Sequence, residues 1–166
     1  MSIAASTIDY LKTRELTLTS AESCTAGKII TLLSEIEGGG ACIESGYVVY
    51  SPQAKQRLLG VRAYTIETFN LTSCEVAREM AEGALRDSSA HIAVATTGLL
   101  GPDDKDGIPA GTVCFAWAYR AGKALSVFSR KERFMGTREQ VQLYAALHAL
   151  KWLPHFHQRA LAGERG

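Results

Sequence analysis

Apolar and polar positions along the chain follow two periods, which predicts strands and helices in alternation. Residues 16–19 alternate with the period of a short half-buried strand, whereas the apolar residues from Ile29 to Ile36 recur at helical spacing. Glycines 38–40 end that helix, because glycine tolerates the left-handed exit conformation. Ile43 to Tyr50 is β-branched and aromatic, which is typical of a strand.

The rest of the chain continues this alternation and then changes order. The pattern predicts a first helix ending near Lys12, a helix over Cys24–Glu37, a helix from Ser51–Pro52 to Gly60, a helix from Thr72 through Leu85, a strand His91–Thr97, a loop Asp103–Ala110, strands Gly111–Tyr119 and Ala124–Arg133, and a helix from Thr137 through Leu150. From Pro154 to the end we expect a frayed tail. This order predicts one α/β domain over residues 1–166 with a mixed sheet.

Composition and charge exclude several classes of function. The net charge of +1 comes from 18 basic and 17 acidic residues, which gives no electrostatic footprint for nucleic acid or an anionic membrane. No apolar run approaches the roughly 18 residues of a membrane helix, and the N-terminus lacks the features of a signal peptide. The four cysteines are widely spaced without a CxxC motif, so neither a zinc site nor a disulfide framework is indicated. We therefore expect a reduced, cytoplasmic protein.

The stretch Ser20–Gly27 carries the richest chemistry, because hydroxyls and a glutamate stand between a strand and a helix. Hydroxyls at such a turn cap the free N–H groups that open a helix. The same N–H groups and the helix dipole also hold an anion or stabilise a forming negative charge. Capping alone and an active-site turn are both open interpretations of this stretch.

Three further stretches each have a structural and a functional interpretation. Lys55 follows the predicted strand end Tyr50 by about one helical turn, so it is either a solvated surface lysine or an amine that takes a proton from a serine. Residues 96–102 form either a simple turn or a glycine-bearing loop whose backbone approaches a ligand. Arg138 opposes the dipole of the last helix, so it is either a phosphate or carboxylate clamp or a plain surface arginine, and both interpretations stay open. Cys24 is a weaker nucleophile candidate than Ser23, because no histidine partner can be named.

Taken together, these stretches resemble the CinA C-terminal domain family, whose enzymatic members are nicotinamide-nucleotide amidases. The matching segments cover nearly the whole chain in order: Ala21–Gly27, Gly46–Ser51, Ala54–Lys55, Leu58–Val61, Ala77–Ala84, Thr97–Gly98, Gly101–Pro102 and Gly111–Val113. The resemblance implies a three-layer α/β/α sandwich. It also implies hydrolysis of the carboxamide of nicotinamide mononucleotide to nicotinic acid mononucleotide and ammonia, a step of pyridine-nucleotide salvage.

The resemblance also assigns residues and partners. The family's catalytic serine, tyrosine and lysine fall on Ser23, Tyr50 and Lys55. Substrate-binding roles are expected for a further set: Glu22, Thr25, Thr97, Gly98 and Arg138. Neither a metal nor a cofactor is expected. The expected partners are a small mononucleotide substrate and a second copy of the chain, with no nucleic acid and no membrane.

The expected mechanism is a Ser–Lys pair. Lys55, directly or through Tyr50, deprotonates Ser23, and backbone N–H groups of the turn stabilise the oxyanion. Two alternatives stay open: a catalytically silent nucleotide-binding module of the same fold, and a Ser–Lys hydrolase for a different amide. Leu100 replaces a small residue of the family pattern, so its bulk is expected to narrow the pocket.

Overall fold

The structure, a computed structural model, describes residues 1–166 and is built on one five-stranded sheet. The strands are β1 (Leu18–Glu22), β2 (Ile43–Val48), β3 (Ile92–Gly98), β4 (Thr112–Ala121) and β5 (Ala124–Arg133). Their order is β2-β1-β3-β4-β5; β1 pairs in parallel with β2 and β3, and the β3–β4 and β4–β5 pairs are antiparallel. The predicted mixed sheet is confirmed.

Helices cover both faces of this sheet. They are α1 (Ile3–Thr13), α2 (Lys28–Ser34), α3 (Pro52–Leu59), α4 (Ala63–Phe69), α5 (Cys74–Asp87), α6 (Arg138–Lys151) and α7 (Leu153–Leu161), with a 3₁₀ turn at Gly39–Cys42. One face packs against α1, α2, α6 and α7, and the other against α3, α4 and α5. The α/β/α sandwich is therefore confirmed. No helix combines the length and apolar character needed to cross a membrane.

Strand β4 shows why the two faces differ. Its bulky aromatic side chains, among them Phe115 and Trp117, point toward α6 and α7, whereas Ala116 and Ala118 point toward α5. Because successive strand side chains face opposite sides, this alternation sorts large and small residues onto separate layers. The small-residue face lets α5 approach the sheet closely.

Several element predictions differ from the structure. Helix α2 begins at Lys28 and not at Cys24, because Ala26 (φ 50°) and Gly27 (φ 94°) take the left-handed conformation. Helix α4 has no counterpart in the prediction.

The expected frayed tail from Pro154 is wrong over most of its length. Residues Leu153–Leu161 form α7, which buries Leu153, Phe156, His157 and Ala160. The Tyr10 hydroxyl and His157 Nδ1 lie 2.7 Å apart, which ties this helix to α1. Apolar residues at helical spacing inside a charged segment explain the difference.

Candidate active site

A cluster of polar side chains lies where three parallel strands end. Ser23 directly follows β1, Val49 and Tyr50 follow β2, and Gly98 ends β3. The connection from β1 to β2 runs over one face of the sheet and the connection from β2 to β3 over the other. Ligands of open α/β sheets bind at such a topological switch point, outside the carboxyl ends of the strands.

The structure brings Ser23 and Lys55 into contact. Lys55 Nζ lies 2.9 Å from Ser23 Oγ, and it donates to the carbonyls of Val49 and Tyr50, also at 2.9 Å. The Lys55 side chain is only 1% exposed. Burial lowers the pKa of Lys55 from its usual 10.5 to about 8, because the charged ammonium loses its hydration.

These contacts orient the amine in its neutral form. A neutral lysine keeps two N–H donors and one lone pair. The carbonyls of Val49 and Tyr50 accept from the two donors, which leaves the lone pair facing Ser23 Oγ. The arrangement places a proton acceptor at the serine hydroxyl.

A buried carboxylate shapes the turn that presents Ser23. Glu22 accepts five hydrogen bonds, from the hydroxyls of Ser20 and Thr25 and the amides of Gly27, Ile29 and Ile30. The carboxylate therefore caps α2, a role that a side-chain oxygen performs at a helix N-terminus. Because Glu22 occupies them, these amides of α2 are not open to a ligand.

The expectation that Glu22 and Thr25 bind substrate is not supported by their positions. Both side chains are buried beneath the turn, and Thr25 Oγ1 lies 2.7 Å from Glu22 Oε1 and 2.8 Å from Thr96 Oγ1. They hold the backbone that carries Ser23. The amides of Cys24 and Thr25, by contrast, have no acceptor within the protein and directly follow Ser23 in the chain.

Two adjoining cavities open in front of Ser23. The inner cavity has a volume of about 210 Å³, with Ser23 and Lys55 on one side and Thr97 and Gly98 on another. The outer cavity measures about 440 Å³ and reaches Arg138. Tyr50 borders both cavities, and its side chain is 56% exposed. Their combined shape suits an elongated polar ligand.

The predicted residues on the cavity walls differ in what they offer. Thr97 Oγ1 donates to the Leu71 carbonyl at 2.9 Å and so joins two walls. Gly98 is required by packing, because a Cβ there would lie 2.5 Å from the Thr112 carbonyl oxygen. The hydroxyl of Tyr50 makes no hydrogen bond, and the hydrogen bond between this residue and Lys55 runs through the backbone carbonyl. A proton relay through the Tyr50 side chain therefore has no supporting contact.

Arg138 and Leu100 lie around the outer cavity. Arg138 is the first residue of α6, after the capping box of Thr137 and Gln140, and its guanidinium donates to the Gly101 carbonyl. Leu100 is only 8% exposed and packs into the core beside α6. It borders the outer cavity but not the inner one, so its bulk bears on the outer cavity and not on the cavity that holds Ser23.

Comparison with known proteins places this arrangement in a family. The family model described as CinA C-terminal domain matches residues 1–157. The chain belongs to the CinA C-terminal domain family. The nicotinamide-nucleotide amidohydrolase PncC of Escherichia coli (strain K12) is 40% identical over 144 residues, which is 86% of each chain.

Solved CinA structures show the same fold. The competence/damage-inducible protein CihA from Agrobacterium tumefaciens matches with a TM-score of 0.87 and 35% identity, over 93% of both chains. The competence damage-inducible protein A from Klebsiella pneumoniae matches with a TM-score of 0.84 and 36% identity, over 89% of this chain and 90% of that one.

Sequence reasoning missed part of this CinA domain's cavity wall. The missed residues also line the inner cavity: Asn70, Leu71, Thr72, Lys105, Asp106 and Ile108. Asn70 Nδ2 donates to Asp106 Oδ2 at 3.3 Å, which joins the loop after α4 to the loop after β3. Polar loops after β-strands carry a weak local signal, and the pairing of two distant loops carries none.

The remaining chemistry of the site is limited. Burial raises the pKa of Cys24 to about 12, so its thiol stays protonated near neutral pH and Ser23 is the better nucleophile candidate. No three His, Cys, Asp or Glu side chains cluster as metal ligands. The charged and nucleophilic groups that line the two cavities are thus the Ser23 hydroxyl, the Lys55 amine, the cations Lys105 and Arg138, and three carboxylates, Asp103, Asp104 and Asp106.

Proposed function

We propose that this CinA domain hydrolyses the carboxamide of nicotinamide mononucleotide to nicotinic acid mononucleotide and ammonia, a step of pyridine-nucleotide salvage. The observation that carries the proposal is the 2.9 Å contact of Lys55 Nζ with Ser23 Oγ at the floor of the inner cavity. The 40% identity to a nicotinamide-nucleotide amidohydrolase supports the substrate class.

Acylation begins when neutral Lys55 takes the proton of the Ser23 hydroxyl. Ser23 Oγ then bonds to the amide carbon, and the carbonyl oxygen becomes an oxyanion. The free amides of Cys24 and Thr25 are the proposed donors for that charge. Lys55 returns the proton to the amide nitrogen and the C–N bond breaks. Ammonia departs, and the acyl group remains bound to Ser23 as an ester.

Deacylation uses the same groups in reverse. Lys55 takes a proton from a water molecule, whose oxygen adds to the ester carbon. The bond to Ser23 Oγ breaks as Lys55 returns a proton to that oxygen. The product leaves with a carboxylate where the substrate had a carboxamide.

The two cavities divide the substrate between them. The pyridine ring and its carboxamide occupy the inner cavity in front of Ser23, and the ribose phosphate extends into the outer one. Arg138 meets the phosphate there, because a guanidinium donates two parallel hydrogen bonds to phosphate oxygens. The proposal includes no metal and no cofactor.

Ammonia release from nicotinamide mononucleotide by the purified chain, beside Ser23→Ala, tests the proposal. We expect release from the wild type and none from a mutant that keeps its circular dichroism spectrum and melting temperature. If neither protein releases ammonia but the nucleotide raises the melting temperature, the chain is a nucleotide-binding module. Release from another amide but not from this nucleotide identifies a hydrolase of different substrate.

The expectations of a homodimer, a cytoplasmic location and no nucleic-acid partner stay predictions. Light scattering of the purified chain measures the mass directly, and a monomer at micromolar concentration would contradict the dimer. An electrophoretic shift assay with duplex DNA checks the partner expectation. A near-neutral charge of +1 predicts no shift at physiological salt.

A further inference from the structure

Two cysteines that the proposed mechanism does not use lie behind the wall of the inner cavity. Cys74 is the first residue of α5, and Cys114 lies within β4. In the sheet, Cys114 pairs with Thr97 on one side and with Lys131 on the other. Cys114 is buried in the apolar cluster under α5, and Cys74 packs against that same cluster.

The two thiols differ in exposure and in ionisation. Cys74 is half-buried and Cys114 fully buried, so a small reagent from solvent reaches Cys74 first. The neighbouring Cys114 thiol, with further help from Ser129 and Lys131, lowers the pKa of Cys74. The same contact raises the pKa of Cys114. The pair therefore combines a partly exposed thiol of lowered pKa with a buried thiol beside it.

The other two cysteines lack this combination. Cys24 is buried under the Ser23 turn, and its pKa is raised. Cys42 is buried against α1, where its thiol faces the Ile8 carbonyl at 4.0 Å. Only Cys74 joins partial exposure, a lowered pKa and an adjacent second thiol.

We propose that Cys74 and Cys114 are a reversible oxidation site, at which a hydroperoxide such as hydrogen peroxide converts the two thiols into a disulfide. The Cys74 thiolate attacks one peroxide oxygen, the O–O bond breaks, and hydroxide leaves to become water. Cys74 is now a sulfenic acid. The sulfur of Cys114 attacks it, the S–O bond breaks, and the hydroxyl group leaves as a second water with the Cys114 proton. Two thiols are oxidised, and one peroxide is reduced to two waters.

The disulfide would act on the cavity wall. The segment just before Cys74 includes Leu71, whose carbonyl accepts from Thr97 Oγ1, and Thr97 pairs with Cys114. A bond between the sulfurs brings them to about 2 Å and pulls the start of α5 toward β4. This consequence rests on the proposed amidase, and we expect kcat/KM to fall at least about tenfold in the oxidised protein, because small displacements of a binding wall are costly.

Peptide mapping of the full chain tests the disulfide independently of any activity. After peroxide treatment and alkylation, trypsin places the four cysteines on separate peptides: 15–28, 29–55, 63–78 and 106–120. We expect a cross-linked species of 63–78 with 106–120, lighter by about two hydrogens than their sum, which dithiothreitol abolishes. Cys74→Ser removes it, and Cys42→Ser, another cysteine outside the pair, retains it.

Two results would overturn the proposal. In the first, Cys74 and Cys114 of the peroxide-treated wild type are both still alkylated. In the second, Cys74 is oxidised to a sulfinic acid and peptide 106–120 carries no cross-link. Serine at the first position of a helix is well tolerated, so Cys74→Ser should fold, and Cys114→Ala provides a second apolar variant. In the activity assay, reductant should restore the oxidised wild type, while Cys74→Ser should not respond to peroxide. A chain that is inactive in both redox states refutes the proposed amidase but leaves the cross-link test intact.

Discussion

The burial of one lysine carries the chemistry of the site. Lys55 is held by three contacts at 2.9 Å, and burial brings its pKa to about 8. A lysine with that pKa is protonated in roughly nine molecules of ten at pH 7, so a fraction of neutral amine is present without a second cation. The same burial lowers the free energy of unfolding wherever the unfolded chain carries the proton.

The free energy of unfolding should therefore depend on pH through Lys55. Its folded pKa of about 8 lies below the usual 10.5, so between these values the unfolded chain binds more protons and stability rises with pH. The variant Lys55→Met has no ionisable group at this position. As pH rises through this window, we expect the free energy of unfolding of the wild type to increase relative to that of Lys55→Met by up to about 3 kcal/mol. Urea unfolding of both proteins at several pH values measures the difference. A constant difference would contradict the lowered pKa.

Glu22 should be essential to the turn although its side chain is not part of either cavity wall. Glu22→Gln replaces one carboxylate oxygen with an NH2 donor and removes the charge, so the backbone amides that faced that oxygen lose their acceptor. We expect a loss of about 2 kcal/mol or more in urea unfolding and a lower kcat. Glu35→Gln, an exposed glutamate next to α2, is the matched control and should stay within about 0.5 kcal/mol.

The sequence predicted several residues that lie at this site, but it did not predict how each side chain is oriented. The chemistry of Ser23 and Lys55 followed from their positions after a strand and in a helix, and their contact is a distance that no local pattern encodes. Glu22 was expected at the ligand and lies beneath it, because the sequence does not say which way a buried carboxylate faces. The second wall, with Asn70 and Lys105, was missed because it joins loops far apart in the chain.

At the scale of elements, the packing of α5 depends on one glycine. A Cβ on Gly83 would collide with the backbone of Leu59 at the end of α3. Gly83→Ala should therefore destabilise the fold by about 1–3 kcal/mol, although alanine usually strengthens a helix interior. Thermal and urea unfolding measure this. Gly40→Ala, where a Cβ meets open space, is the matched control; a stabilised Gly83→Ala would contradict the close packing.

The first turn of α6 should recognise the phosphate. Arg138→Ala is expected to raise KM for nicotinamide mononucleotide about tenfold or more, because a charged hydrogen-bonding pair is lost. The values for nicotinamide riboside, which lacks the phosphate, should change little. Arg57→Ala, on the exposed side of α3, controls for general loss of positive charge. Equal effects on both substrates would show that Arg138 only supports the Gly101 loop.

Elements with strong periodicity were predictable, and the remainder depends on tertiary contacts. Strands β3 to β5 and helices α3, α5 and α6 agree with the sequence pattern to within a few residues. The short helix α4 was missed because it buries only Thr65, so it has no apolar stripe to detect. The tail was mistaken for frayed chain, since Phe156 and Leu153 gain their partners only when α7 folds back on β4.

At the scale of the whole molecule, the candidate site lies where the β1–β2 and β2–β3 connections run over opposite faces of the sheet. Crossovers on opposite faces leave a crevice between the ends of β1 and β3, and both cavities open there. Bulky side chains on one face and small ones on the other fix how closely α5 and α6 approach. The fold class follows from the order of elements in the sequence, and the strand order that makes this crevice comes from the structure.

The dependence of kcat/KM on pH, measured by ammonia release from nicotinamide mononucleotide, tests most directly whether Lys55 is the base for Ser23. Only the neutral amine accepts a proton, so kcat/KM should rise about tenfold per pH unit below pH 8 and level off above it. If kcat/KM stays constant from about pH 6 to 8 while Ser23→Ala is inactive, the result would contradict a lysine base.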